Sequence, residues 1–207
     1  MFRRFTATSA ASTAASTVAS PAGHVERYSR PIRVLHFAQA LAVVGAIGSG
    51  TFATQQPKTK EGQQKRGDAM FWHKSMGSFV FATLPIRAYY RLQPGASPGI
   101  PGSAVKRVAA QLMHGSLYGG AAFMATTGLI MTFYSGKGLP MFVTTLTQFK
   151  TSNPDQSENG RLSKLFYQIH TSFGYYWKVL VPLHVAGGVF SYTQGLRTFA
   201  RMNPFVF

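Results

Sequence analysis

The sequence predicts an all-α membrane protein, a four-helix up-and-down bundle. Three observations predict it. Four apolar segments, residues 32–53, 70–90, 108–134 and 165–192, are each about twenty residues or longer, enough to cross a ~30 Å hydrocarbon core as a helix. The charge lies mostly between them: 21 Lys+Arg against 5 Asp+Glu give a net +16 over 207 residues, the pattern of loops that meet anionic headgroups. Within the segments, small residues recur (Gly45, Gly48, Gly119, Gly120, Gly128, Gly187, Gly188) and aromatics gather near the ends (Phe71, Trp72, Tyr89, Tyr90, Tyr175, Tyr176, Trp177, Tyr192). Glycine weakens a helix in water but permits close packing in a membrane. A soluble bundle would show a polar stripe on each helix, and these runs show none.

The elements follow in order. Residues 1–26 carry Arg3 and Arg4, much Ser, Thr and Ala, and no acid before Glu26. That composition predicts a mitochondrial or plastid targeting segment, and the absence of a long apolar stretch argues against a secretory signal. Residues 27–201 form the expected membrane domain and 202–207 a tail. TQQPKTKEGQQKRGD joins the first two helices. RLQPGASPGIPGSAVKR joins the second and third, with prolines that exclude helix. SGKGLPMFVTTLTQFKTSNPDQSENGRLSK, the longest loop, has an apolar middle, LPMFVTTLTQF, expected to lie at the interface as a short helix. Pro85 and Arg87 make the end of the second helix polar, and Arg87 is expected to snorkel to the surface. Four crossings put both termini and the proline-rich loop on one side, here the N side. Lys and Arg divide evenly between the two sides, so orientation stays open.

Composition also excludes. The absence of cysteine removes disulfides, thiolate-held zinc, cysteine-ligated iron–sulfur clusters and CxxCH haem attachment. Nucleic acid is not an expected partner, because the positive charge forms no face or stripe and no such motif is present. Membrane lipid is.

The chemistry lies in the histidines. Of six, His24 falls in the N-terminal segment, and the other five, His36, His73, His114, His170 and His184, lie inside the apolar segments. Ionisable groups there are functional candidates by default. His170 and His184 are fourteen residues apart on one helix, a rise of ~21 Å and a turn of ~1400°, close to four full turns. They share one face at two depths. By depth His73 matches His170 on the far side, and His36 matches His184 on the N side. Two stacked bis-histidine pairs are what two b-type haems need, each iron taking two axial nitrogens. Zinc would need three or four clustered ligands.

HKSMG at 73–77 and HTSFG at 170–174 repeat the pattern H-x-S-x-G. Gly77 and Gly174 lie one turn from their histidines on the same face, where a flat macrocycle needs the side chain absent. Gly187 and Gly188 hold the same relation to His184. Ser75 and Ser172 are candidates for a carbonyl or a haem propionate. Basic partners for the propionates are Lys74, Arg161 and Lys164 on the far side, and Arg30, Arg33, Arg107 and Arg197 on the N side. His114 is left over, at the depth of His36 and His184. It competes with His36 as a ligand, bonds a propionate, or serves a quinone carbonyl as a proton relay.

Four pieces in this order resemble the bacterial-type, four-helix cytochrome b561 family: ERYSRPIRVLH, WHKSMG, H-x3-Y with a following TGL (His114, Tyr118, Thr127 to Leu129), and IHTSFGYYWKVLVPLH. The resemblance runs from about residue 27 to 201. It implies His36, His73, His170 and His184 as iron ligands. It also implies an oxidoreductase or electron carrier that exchanges electrons with a quinone such as ubiquinone. Some members oxidise superoxide, and others anchor a dehydrogenase. Three departures stand out: the targeting segment, Phe37 where a tryptophan is common, and the long third loop. They suggest the mitochondrial inner membrane (or a plastid membrane), and a partner over that loop. A largely structural subunit of a respiratory complex is the alternative.

Overall fold

The computed structural model describes residues 26–95, 98–99 and 102–205. The expected targeting segment and His24 therefore lie, Glu26 apart, outside the described residues. Four long helices, α1 (Arg30–Gln55), α2 (Lys60–Leu92), α3 (Ala104–Ser135) and α4 (Gln156–Thr193), are joined by a two-stranded hairpin, β1 (Leu139–Met141) and β2 (Thr144–Leu146), between α3 and α4. A short α5 (Thr198–Met202) follows.

Local chemistry sets the ends. Pro31 sits in the first turn of α1, where its missing N–H is not needed. Thr59 caps α2 by accepting from the Gly62 N–H at 3.2 Å. Gly62 is required there, because a Cβ would run into the Pro57 carbonyl. Ser103 caps α3, and Gly136 closes it in the left-handed region at φ 66°. Asp155 caps α4 by accepting from the Ser157 and Glu158 N–H groups at 2.9 and 3.1 Å. The Ser157 hydroxyl, which donates to the same carboxylate at 2.7 Å, and after it these N–H groups hold the Asp155 carboxyl below its ordinary range. α2 and α4 begin well before their apolar stretches, so each carries a polar turn or more beyond it.

The apolar middle of the third loop is not a helix, as expected, but the hairpin. Its strands pair antiparallel, Leu139 with Leu146 and Met141 with Thr144. Gly136 and Gly138 precede it at positive φ (66° and 75°), and Phe142 takes φ 53° at the turn. β-Branched Val143, Thr144 and Thr145 favour strand over helix. The hairpin docks on α2: the Phe142 N–H donates to Ser75 Oγ at 3.0 Å, and the Phe142 ring lies 6.2 Å from Trp72 and 6.3 Å from Phe79.

α1 packs chiefly on α2, and α3 on α4, with α2 against α3 joining the halves. The core is small: Ala42, Val80, Ala121 and Trp177, ringed by residues such as Met76, Phe79 and Phe173. Trp177 lies on Gly120, where any Cβ would overlap the indole. Gly120→Ala is expected to lower stability by ~1–3 kcal/mol, as overpacking does, read as a lower melting temperature in detergent. Large apolar side chains point outward instead, Leu41 at 61%, Leu112 at 68% and Val179 at 67% exposure.

Among the described residues one helix, α1, is long and apolar enough to cross a membrane by length and composition. The sequence suggested four. The long helices α2, α3 and α4 are diluted by His, Tyr, Gly, Ser and Thr, which lower their mean hydropathy.

At the N side the first and last described segments meet. The Tyr28 N–H donates to the Arg201 carbonyl at 3.3 Å, Arg33 Nη1 to the Asn203 carbonyl at 2.6 Å, and the Phe37 and Phe205 rings meet edge to face at 5.4 Å. The described part of the tail thus folds over the start of α1.

Candidate functional site

The structure brings the far-side histidines together. His73 of α2 and His170 of α4 have ring centres 6.0 Å apart with planes at 89°. Each ring is held from behind. His73 Nδ1 lies 2.8 Å from the Ala46 carbonyl of α1. The approach is open because residue 50 is glycine; a Cβ there would stand 2.8 Å from His73 Nδ1. His170 Nδ1 lies 3.0 Å from Thr127 Oγ1 of α3. The Thr127 hydroxyl proton goes to the Phe123 carbonyl at 2.8 Å, so its oxygen accepts from His170. Gly128 leaves room beside that ring, a Cβ there falling 3.2 Å from Cε1. The Ala46 carbonyl, which can only accept, places the His73 proton on Nδ1 and frees its Nε2 lone pair, and a Thr127 hydroxyl directed at the Phe123 carbonyl would do the same for His170.

A small open-sided cleft of about 40 Å³ lies between these rings, lined among others by Lys74, Gly77, Met124 and Leu139. A Cβ on Gly77 would meet nothing within 4 Å, so this glycine borders empty space. Thr127→Val removes the acceptor behind His170 while keeping the shape. Loss of such a partner weakens metal binding ~10–100-fold, and that is the expected fall in haem affinity at this pair, read by haem titration of the depleted protein.

At the N side, His36 of α1 and His184 of α4 have ring centres 6.3 Å apart at 56°. His114 of α3 is nearer, its centre 5.3 Å from that of His184 at 72°. The separations discriminate. A ligating imidazole nitrogen sits ~2.0–2.1 Å from its metal, so two trans ligands have ring centres roughly 6.3 Å apart. His36/His184 and His73/His170 fit that span, and His114/His184 is about 1 Å short of it. Among the described residues no group of three or more His, Cys, Asp or Glu converges on a metal position.

Arg87 corrects an expectation. It does not snorkel outward. Its Nη1 donates to Gln39 Oε1 at 3.0 Å, and its Cζ lies 5.1 Å from the Tyr118 ring centre. Gln39, itself held by Thr83, supplies an anchoring bond of the kind a snorkelling side chain would seek in water.

The remaining candidates separate. Lys74 and Gly77 line the far-side cleft. Gly174 faces Met124, 3.8 Å from its Cε, and Gly188 faces Phe199 of α5 at 3.9 Å, while Gly187 opens on empty space. Ser75 is fully buried on the hairpin and Ser172 is exposed. Neither reaches the cleft, because a residue two after the histidine leaves the helix on another side. Arg161 is engaged by Glu158, with Nε and Nη2 at 2.8 and 2.7 Å. The pair holds the Glu158 carboxyl below its ordinary range. Arg107 donates to the Gly102 carbonyl at 2.7 Å and Arg33 to Asn203. Lys164, Arg30 and Arg197 are exposed. Local partners thus account for several side chains that charge alone made candidates. Sequence reasoning missed Ala46, Gly50 and the role of Thr127 and Gly128. Only the last two carried a signal, as part of TGL.

No curated protein matches the chain. The family described as prokaryotic cytochrome b561 matches residues 27–204. That span takes in α1 to α5 and all five histidines of the site. The family's chemistry is haem-based electron transfer, an oxidoreductase activity in general, and its all-α fold is the one found here. The chain belongs to the prokaryotic cytochrome b561 family.

Proposed function

We propose that the chain is a di-haem b-type membrane cytochrome that passes electrons across the bilayer, with a quinone as donor or acceptor. His73 and His170 would hold one haem and His36 and His184 the other. The observation that carries this is the two-ring geometry: two histidine pairs with ring centres 6.3 and 6.0 Å apart, each far-side Nδ1 within hydrogen-bond distance of an oxygen on a neighbouring helix. Bound haem b supplies a one-electron iron couple at each pair.

The rest is the chain's own work. The Ala46 carbonyl and Thr127 hydroxyl fix two imidazoles and raise their basicity. Gly50, Gly77 and Gly128 leave room for a flat ring. Leu139 of the hairpin lends the far-side cleft an apolar wall. Lys74 brings a positive charge to the same cleft, for a propionate. His114, beside His184 but short of ligand spacing, is the group to give or take a quinone proton. Four crossings are supported by four helices of 26 to 38 residues and by the apolar side chains on their outer faces. The composition of residues 1–26 supports the mitochondrial inner membrane as the site of action.

Proteoliposomes test this. Ubiquinol is supplied outside and ferricyanide is trapped inside. The expected result is loss of internal ferricyanide that requires the protein and is abolished in His170→Ala. Haem-loaded vesicles that pass no electrons inward would overturn transmembrane transfer. A haem-bearing anchor for a larger respiratory complex would then be the better account.

A further inference from the structure

Arg87 is an interior cation with no acid beside it. It stands on α2 at the end of the bundle where His36, His114 and His184 meet, and its charge acts on all three. One arm is fixed by a chain of one-way bonds. Arg87 Nη1 donates to Gln39 Oε1 at 3.0 Å, Gln39 Nε2 to Thr83 Oγ1 at 2.9 Å, and the Thr83 hydroxyl to the Phe79 carbonyl at 2.7 Å. Gln39 is 3% exposed, so this is a built support. The guanidinium is not fully satisfied. Arg87 Nε is buried without a hydrogen-bond partner. The Tyr118 hydroxyl is buried beside the guanidinium and interacts with it, and the Arg87 Cζ lies 5.1 Å from the Tyr118 ring centre. The chain has five acids. Glu61, Asp68, Asp155 and Glu158 lie at the far-side starts of α2 and α4, and Glu26 is exposed at the opening of the described chain.

Burying a charge is costly unless it is paired. Among the described residues no carboxylate side chain stands beside Arg87, so the guanidinium is open to an added anion. A guanidinium fork matches a carboxylate in two bonds. A haem seated between His36 and His184 brings carboxylates to this end of the bundle. We propose that Arg87, with the Tyr118 hydroxyl, binds a propionate of the haem at His36/His184, a claim that rests on the di-haem reading above. Of the sequence's four candidates for that task, Arg33 and Arg107 are turned to the Asn203 and Gly102 carbonyls, and Arg30 and Arg197 are exposed.

Arg87→Gln and Arg87→Lys test it in the full-length protein. From the haem-loaded Arg87→Gln variant, the His36/His184 haem should pass to apomyoglobin about tenfold faster or more, the loss expected of one charge-assisted bond. The His73/His170 haem should leave at the wild-type rate, and Arg87→Lys should restore part of the retention. In haem-depleted protein Arg87→Gln should melt at or above the wild-type temperature, because it removes an uncompensated buried charge. A purely structural cation predicts the reverse, a lower melting temperature in both forms, and that result would overturn the proposal. So would equal retention of both haems. Unchanged haem retention with lost binding to cardiolipin vesicles would give the site to a lipid phosphate instead. A wild-type protein with no haem at His36/His184 would remove the underlying reading and this assignment together.

Discussion

Replacement of His170 by alanine removes one of two haems from the protein and leaves the other in place. The expectation follows from where the ring sits. His170 has no structural partner that the fold needs: Thr127 keeps its own bond to the Phe123 carbonyl, and α4 stays anchored by Trp177 on Gly120. What is lost is one Nε2 facing the cleft shared with His73. His184 lies fourteen residues further along α4, ~21 Å by helix rise, beyond the range at which substitutions usually couple. Haem per chain should fall from two to one, and His36→Ala should remove the other. Measurement is by pyridine haemochrome against protein concentration. Loss of both haems from either single variant would mean that the sites are not independent.

Gly50→Ala is expected to have nearly the same effect without touching a ligand. The added methyl would stand 2.8 Å from His73 Nδ1 and 3.1 Å from Cε1, closer than the ring can tolerate. The imidazole must turn away and give up the Ala46 carbonyl. That removes the group that fixes its orientation and tautomer, a loss worth ~10–100-fold in metal affinity, and displacement of the ring adds to it. Gly48→Ala is the control, two residues along the same helix. A Cβ there meets nothing within 4 Å, so haem content should hold. Haem titration of each variant, followed at the His73/His170 site, decides. Equal affinity in Gly50→Ala and the wild type would show that the contact with α1 does not seat His73.

The contrast between Gly48 and Gly50 explains how far the sequence could be read. Depth was legible, because position along a helix converts directly into height. His73 and His170 were matched that way, as were His36 and His184, and the rings do lie side by side. Rotation about the helix axis was not legible. Gly50 reads as one small residue among several, and only the packed bundle shows that its missing Cβ faces a histidine. The same lack of phase left His36 and His114 as rivals for His184, whose ring centre stands 6.3 Å from the first and 5.3 Å from the second. Arg87 was expected at the surface because it lies near a helix end. Gln39 and Thr83, on two different helices, draw it in. Basic residues at loop ends were over-read as propionate partners, since a nearby carboxylate or carbonyl (Glu158 for Arg161, Gly102 for Arg107) captures them first. The hairpin was missed because apolarity was weighed above Gly138 and the β-branched run 143–145.

The central claim is that this one chain carries two haems on four histidines. The most direct test is the reduced-minus-oxidised spectrum of the purified full-length protein, with haem counted per chain. The account predicts two b-type haems per chain, both six-coordinate and low-spin, as paired imidazoles require. A single haem, or none, would contradict it.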